Sequence, residues 1–258
     1  MALIKNRSIY RLDLIRHLVW KEFTLRYKRS ALGVLWSLVP PLSQLLVLVF
    51  LFRRVVPLNI EGYPAFVFTA LLPWIWFSTS LNAAGGLFIY NRDLVRKPHF
   101  EPLNLILVNM LSNLINYLVF LPVLFAILVF YGRPVTLSLA VIPLLLVIQG
   151  FLTAGLSLII ATLNVFYRDI QHLATVALML LFYLIPVFYQ VETVGEKYRL
   201  LYSLNPLAVL IQDYRAVFFH GAVPRWTSLT FTMAAAVLIF GLGYFIYARK
   251  ISDVIDAI

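Results

Sequence analysis

With 258 residues, 62% of them hydrophobic, 12% charged and none cysteine, the chain falls outside the composition of soluble globular proteins. The absence of cysteine excludes disulfide staples, thiolate nucleophiles and thiolate metal sites. Its net charge of +10 does not argue for nucleic acid, because most of the excess sits beside apolar runs. There each Lys or Arg near anionic headgroups is worth about 1 kcal/mol.

The first 29 residues hold eight Lys/Arg ahead of any long apolar run. A signal peptide would place a shorter apolar core nearer Met1, so this N-terminus reads as retained. Leu12, Ile15, Val19, Phe23 and Tyr27 recur every three or four residues, with Asp13, Arg16, His17, Lys21, Thr24 and Lys28 opposite. That spacing predicts an amphipathic helix with a basic face, lying along the membrane surface.

Six stretches without Asp, Glu, Lys or Arg follow, at 30–52, 62–91, 102–132, 134–167, 170–191 and 226–248. Each is long enough to cross a bilayer, which takes about 20 apolar residues because lipid offers backbone polar groups no partner outside the helix. The expected architecture is therefore an all-α polytopic membrane protein with six transmembrane helices. Its single domain, 1–258, divides into an N-terminal helix (1–29), a six-helix membrane region (30–248) and a cytoplasmic tail (249–258). With the N-terminus inside, Lys5, Arg7, Arg11, Arg16, Lys21, Arg26, Lys28, Arg29, Arg92, Arg96, Lys97, Arg168, Arg249 and Lys250 all face the cytoplasm. That is twice the number left outside, which includes the Arg53-Arg54 pair, so both termini are expected to be cytoplasmic.

Between the second and third spans, Pro98 and Pro102 confine any helix to about 91–97. Asn91 suits an N-cap, Asp93 the first turn, and Arg96-Lys97 the last. Such a short capped helix suits a surface that receives a push from a soluble partner; an ordinary solvated loop explains the same residues. Aromatics gather in span two (Trp74, Trp76, Phe77) and span five (Phe182, Tyr183, Phe188, Tyr189). They fit either an interfacial belt or rings that stack on sugar faces. Pro40-Pro41, Pro122, Pro143 and Pro186 fall within spans, and Gly150, Ala154, Gly155, Ser157 and Ala161 give span four a small face for close helix approach.

After span five the segment 200–212 is too short to cross and too apolar for a loop, so two short re-entrant or interfacial helices are expected, broken at Asn205-Pro206. The second carries Asp213, Tyr214 and Arg215. No Gly-x-x-x-x-Gly-Lys-Ser/Thr loop is present, no span holds a carboxylate for a proton relay, and His17, His99, His172 and His220 are scattered without metal-ligand spacing. Energy for uphill movement would have to come from another chain.

Several runs together carry a resemblance. They are Arg26-Tyr27-Lys28-Arg29-Ser30-Ala31-Leu32-Gly33-Val34-Leu35-Trp36 leading to Pro40-Pro41, then Leu72-Pro73-Trp74-Ile75-Trp76-Phe77-Ser78. Leu163-Asn164-Val165-Phe166-Tyr167-Arg168-Asp169-Ile170, Ile185-Pro186-Val187-Phe188-Tyr189 and Leu204-Asn205-Pro206-Leu207 complete the set. Over its whole length the chain resembles the permease subunits of ABC-type cell-surface polysaccharide exporters, the O-antigen and teichoic acid exporter family.

The resemblance implies a bacterial inner-membrane protein exporting a lipid-linked polysaccharide, O-antigen above all, as a homodimer with two copies of an ABC ATPase subunit. ATP and Mg would sit on that partner, leaving this chain without cofactor, metal or catalytic residue. It implies that Asn91, Arg92, Asp93, Leu94, Val95, Arg96 and Lys97 couple to the ATPase subunit, together with the N-terminal helix. Trp74, Trp76, Phe77, Tyr183, Phe188 and Tyr189 would line the substrate channel. Arg168 and Asp169 would meet a lipid pyrophosphate or brace the pore entrance, and Asn205, Pro206, Tyr214 and Arg215 would form an outer gate. The competing readings are an ABC permease for drugs or lipids, and an integral-membrane transferase acting on lipid-linked glycans; for the latter, Asp93, Asp169, Asp213, Glu192 and Glu196 offer no acid–base pair.

Overall fold

The computed structural model describes residues 2–28, 30 and 33–258, with side chains for 11–26, 28, 30 and 33–258. Arg29, Ala31 and Leu32, and the side chains of Lys5, Arg7 and Tyr27, all used above, lie outside what is described. Among the described residues the chain is helical throughout, without a strand.

Helix α1 (Ala2–Tyr27) runs alongside the flank of α6 (Leu103–Phe130). The face it turns inward is mostly polar, unlike the expected apolar stripe. Arg11 pairs with Glu101 at 2.8 Å and donates to Asn104 Oδ1 at 3.0 Å. Arg26 donates to Asn113 Oδ1, and Ser112 donates to Glu22. Val19 is buried on this face, but Leu12 is 67% exposed. The reason lies in α6, whose adjoining flank carries Asn104, Ser112 and Asn113 and so rewards polar partners.

A 3-10 turn at Gly33–Ser37 leads into α2 (Val39–Phe50), which is started by Pro40-Pro41, where a missing N–H costs nothing. It continues through a wider π turn at Leu51–Val55. Helix α3 (Tyr63–Ala84) follows Gly62, whose φ of 68° suits glycine. This helix is apolar on all sides and sits at the centre of the bundle, buried along most of its length. Inside it Pro73 is tolerated, with its carbonyl accepting a hydrogen bond from Gln149 of α7 (Ile142–Phe166) at 2.8 Å.

Helix α7 makes its most extensive contact with α11 (Trp226–Ala257). The expected small face explains it: a Cβ on Gly155 would stand 2.6 Å from the backbone nitrogen of Phe240, and one on Gly243 would strike the Gly155 carbonyl. At 32 residues α11 measures about 48 Å at 1.5 Å per residue, well beyond a hydrocarbon core of about 30 Å. The residues from 249 to 257 continue this helix, with Val254 fully buried near its end.

Among the described residues five segments are long and apolar enough to cross a membrane: Gly33–Val55, Tyr63–Ala84, Leu103–Phe130, Leu137–Phe166 and Trp226–Ala257. The chain is a multi-pass membrane protein. The expected sixth, 170–191, yields α8 (Asp169–Leu184), only 16 residues. It stops because Ile185 precedes Pro186 and is driven into an extended conformation, φ −95° and ψ 151°. Beyond it come α9 (Glu196–Leu204) and α10 (Pro206–Phe218).

Candidate functional site

Four groups of residues singled out by the sequence occupy two ends of the bundle. At one end, Ala84 passes into two single turns, α4 (Leu87–Tyr90) and α5 (Arg92–Val95). The helix expected over 91–97 is therefore one turn long. Asn91 does not cap it forward; its amide donates back to the Leu87 carbonyl at 2.9 Å and closes the preceding turn. Arg92, Asp93, Arg96 and Lys97 are exposed, whereas Val95 is buried. Val95 packs in a small apolar cluster with Phe88, Ile106 of α6, Leu158 of α7, and Tyr247 and Val254 of α11. The charged turn faces outward, while Val95 joins an apolar cluster that includes residues of three long helices.

At the same end, Arg168 and Asp169 are exposed at the start of α8, with Asp169 in the first turn, where a carboxylate complements the helix dipole. Bracing there is done by a neighbour, Asn164. It is buried, donates to the Gly85 carbonyl at 2.8 Å and accepts from the Gln171 backbone at 2.9 Å. Gln171 and Thr175 in turn bond to Asn82. These bonds tie the end of α3 to the α7–α8 corner. Asn164 lies in the same run, 163–170, as Arg168 and Asp169.

The aromatics form a connected ladder drawn from α3, α8, the extended segment 185–190 and α9. Trp74 meets Phe77 and Phe182, Phe182 meets Tyr183 and Phe188, and Phe188 meets Tyr189, which meets Tyr202, all with centroids 5.0–6.2 Å apart. Tyr189 and Tyr202 also share a hydroxyl hydrogen bond of 2.8 Å. Trp74 and Phe77 are packed inside this chain, as is Trp76, which lies apart and donates its indole N–H to the Met110 carbonyl. Phe188 and Tyr189 are half-buried, and Tyr183 is exposed.

At the opposite end, Asn205 caps α10 by accepting from the Leu207 and Ala208 backbones, with Pro206 at the first helical position. Helix α9 is exposed except at the half-buried Tyr202, but α10 is wedged into the bundle against α3, α7 and α11. Tyr214 is fully buried and stacks on Phe218. Arg215 is also buried. Its guanidinium lies 3.7 Å over the Phe66 ring and donates to the carbonyls of Pro186 and Val187 at 2.7 and 2.9 Å. Burial pulls its pKa down, opposed by Glu192. Proline 186 ends the α8 helix and exposes carbonyls that have no helical partner, and Arg215 satisfies them.

Next to it, the Asp213 carboxylate accepts from the Ser228 hydroxyl of α11 at 2.8 Å. Burial pushes its pKa up to about 6, partly countered by that bond. An unfolded Asp ionises near 3.9, so the extra proton belongs to the folded state between about pH 4 and 6. The stability this contributes is present below pH 4 and is lost as pH rises through 6. Asp213→Asn is expected to remove this pH dependence, at most about 3 kcal/mol, read as the difference in melting temperature between pH 4.5 and 7.5.

Residues 13–219 match the family described as ABC-2 type transporter. The chain is 33% identical over 260 residues to the O-antigen export system permease protein RfbA of Myxococcus xanthus, covering 100% of both proteins. It is 33% identical over 238 residues to the protein of the same name from Klebsiella pneumoniae, covering 92% of each. The polysialic acid transport protein KpsM of Escherichia coli is similar at 22% over 242 residues, 92% of this chain and 93% of that one.

Proposed function

The chain belongs to the ABC-2 type transporter family, and on that premise we propose that it is the membrane permease of a system exporting an O-antigen-type polysaccharide. The observation that carries this reading is end-to-end identity of 33% with an O-antigen export permease. Energy comes from ATP bound with Mg on two copies of a separate ATPase subunit, and two copies of this chain enclose the path. Both termini face the cytoplasm of the inner membrane, α8 with the extended segment after it supplies the sixth crossing, and α1 lies at the inner membrane interface.

In this reading α5 is the coupling element. Its charged surface, Arg92, Asp93, Arg96 and Lys97, meets the ATPase, and Val95 passes the displacement to α6, α7 and α11 through the apolar cluster. The same cluster contains the end of α11, which supports a role for that extension in seating the turn. Val95→Ser loses packing without altering the exposed charges. It is expected to cut glycan-stimulated ATP hydrolysis at least fivefold while the complex still forms, as checked by co-purification and phosphate release.

The exported chain is a lipid-linked glycan that slides past many weak aromatic contacts, with Tyr183 presenting the exposed ring and Phe188 and Tyr189 continuing the wall. Trp74, Trp76 and Phe77 support that wall from behind, so Trp74→Ala is a folding lesion and Tyr183→Ala the clean test. Tyr183→Ala is expected to slow polysaccharide appearance at the cell surface severalfold with normal expression; unchanged export counts against a sugar-contacting wall. For the whole reading, ATP hydrolysis is measured with the chain alone, with its ATPase partner, and with lipid-linked glycan added. Activity only in the complex, modulated by glycan, supports it. Turnover of a lipid-linked substrate by this chain alone overturns it.

A further inference from the structure

A cavity of about 550 Å³ lies where the end of α1 and the start of α2 meet α3 and α6. Its lining changes character along its depth. Arg26, Thr79 and Asn113 stand toward the end of the bundle that carries the coupling turn, and Leu72 and Phe120 stand nearer the middle. From Thr79 to Leu72 and from Asn113 to Phe120 the helices advance seven residues, about 10 Å at 1.5 Å each. Ile75 and Trp76 add to the apolar wall between these levels. A volume of about 550 Å³ over that depth gives a section of about 55 Å², too narrow for a helix about 10 Å across and ample for a hydrocarbon chain. The first span, which supplies one wall, is largely exposed, and in a membrane protein such a surface meets lipid.

Charge at the mouth has one sign. Arg26 is the one charged residue among the described residues that line the cavity. It is held in place, with Nη1 donating to Asn113 Oδ1 at 3.1 Å. Asn113 is buried and fixed in turn, donating to Asn109 and to the Ser80 hydroxyl of α3. The carboxylate beside Arg26, Glu22, stands at 3.4 Å and also accepts from Ser112, and the Arg26 side chain stays 37% exposed. Trp36, half exposed on the same wall at the start of the span, is of the residue type that gathers at membrane interfaces. A fixed cation over an apolar shaft matches an amphiphile with an anionic head, as basic residues beside a membrane do in general.

We infer that this cavity is a lipid site, which holds an acyl chain of one anionic phospholipid from the adjoining leaflet with its phosphate on Arg26. The inference goes beyond the export reading and does not depend on which glycan is moved. A chain seated there fills the gap between the end of α1 and the core formed by α2, α3 and α6, so the seat of α1 includes a lipid.

The test is native mass spectrometry of the full chain titrated with phosphatidylglycerol, with phosphatidylcholine of the same acyl chains, and with farnesyl phosphate. Two variants attack the site from different sides. Arg26→Gln removes the charge, and Ala83→Phe, at an exposed position on the wall, obstructs the mouth while leaving every polar bond in place. The expected result is one phosphatidylglycerol retained per chain, at least fivefold more weakly in both variants. Retention is unchanged in Arg225→Gln, an exposed cation at the opposite end of the bundle. No retention, equal retention of the two phospholipids, or wild-type retention in either variant overturns the assignment. Stronger retention of farnesyl phosphate, or displacement of the lipid by inorganic phosphate, does so as well. Surface polysaccharide is scored in parallel in cells carrying the wild-type chain. Export without lipid retention rejects the site and leaves the export reading standing, whereas lipid retention without any export does the reverse.

Discussion

Gly155→Leu is expected to leave almost no folded protein. The added Cβ alone would lie 2.6–2.7 Å from the backbone of Ile239 and Phe240, and backbone in the middle of a 32-residue helix cannot step aside as a side chain can. Helix α11 would have to move outward along its whole contact with α7, the most extensive pairing in the molecule. Overpacking of this kind costs about 3 kcal/mol or more, a large share of the stability of an ordinary domain. The control is five residues earlier on the same helix. A Cβ on Gly150 meets only the flexible end of Met110 at 3.9 Å, so Gly150→Ala should behave as wild type. Fluorescence-detected size-exclusion profiles of the two variants provide the measurement: a monodisperse Gly155→Leu peak would show that the α7–α11 contact is not as close as described.

Arg215→Met is expected to release the segment after α8 from α10 without preventing insertion. Methionine keeps much of the bulk over Phe66 but donates nothing, so the Pro186 and Val187 carbonyls lose their partner. Hydrogen bonds from a charged donor contribute about 1.5–3 kcal/mol each, and stacking of a desolvated guanidinium on a ring about 2 kcal/mol. Relief of the cost of burying the charge offsets part of this, leaving a net loss of about 3 kcal/mol. Because the loss is local, hydrogen exchange across 185–219 should accelerate by about two orders of magnitude while α3 and α7 stay protected, and export should fall to background. Arg199→Met, at an exposed guanidinium that donates to the nearby 192–194 backbone and pairs with Glu196 at 3.9 Å, is the matched change expected to alter little. Arg215 is thus a clasp between α10 and the segment after α8.

Much of the helical architecture was legible because lipid imposes one rule on every residue of a span. Where 20 or more residues carry no charge, a helix satisfies every backbone group within the segment itself, and among the described residues five of the six expected spans are helices of that length. The sixth is the instructive departure. The uncharged run over 170–191 was read by length alone, but Pro186 sets the conformation of Ile185 and ends α8 after 16 residues. Asn205-Pro206 shows the opposite case, since a break and a cap are both local events, and the capping bonds lie where the residues call for them. Asn91 looked equally suited to a cap yet turns back to the Leu87 carbonyl, because the preceding turn ends there with an acceptor to satisfy.

By itself the sequence determined that the chain is helical and membrane-embedded, that it breaks at Asn205-Pro206, and that it holds no Gly-x-x-x-x-Gly-Lys-Ser/Thr loop. These follow from composition, run length and proline, which act on the chain locally. The tertiary structure decided what each marked side chain touches. It put Trp74, Trp76 and Phe77 inside the chain and left Tyr183 exposed, it gave the α7–α8 corner to Asn164 and not to Arg168 and Asp169, and it turned a polar face of α1 toward α6. It also joined Val95 to the end of α11 across more than 150 residues of chain. In a span that is apolar on every side, periodicity no longer separates the face that meets protein from the face that meets lipid. That choice is made by the fit of one helix against another.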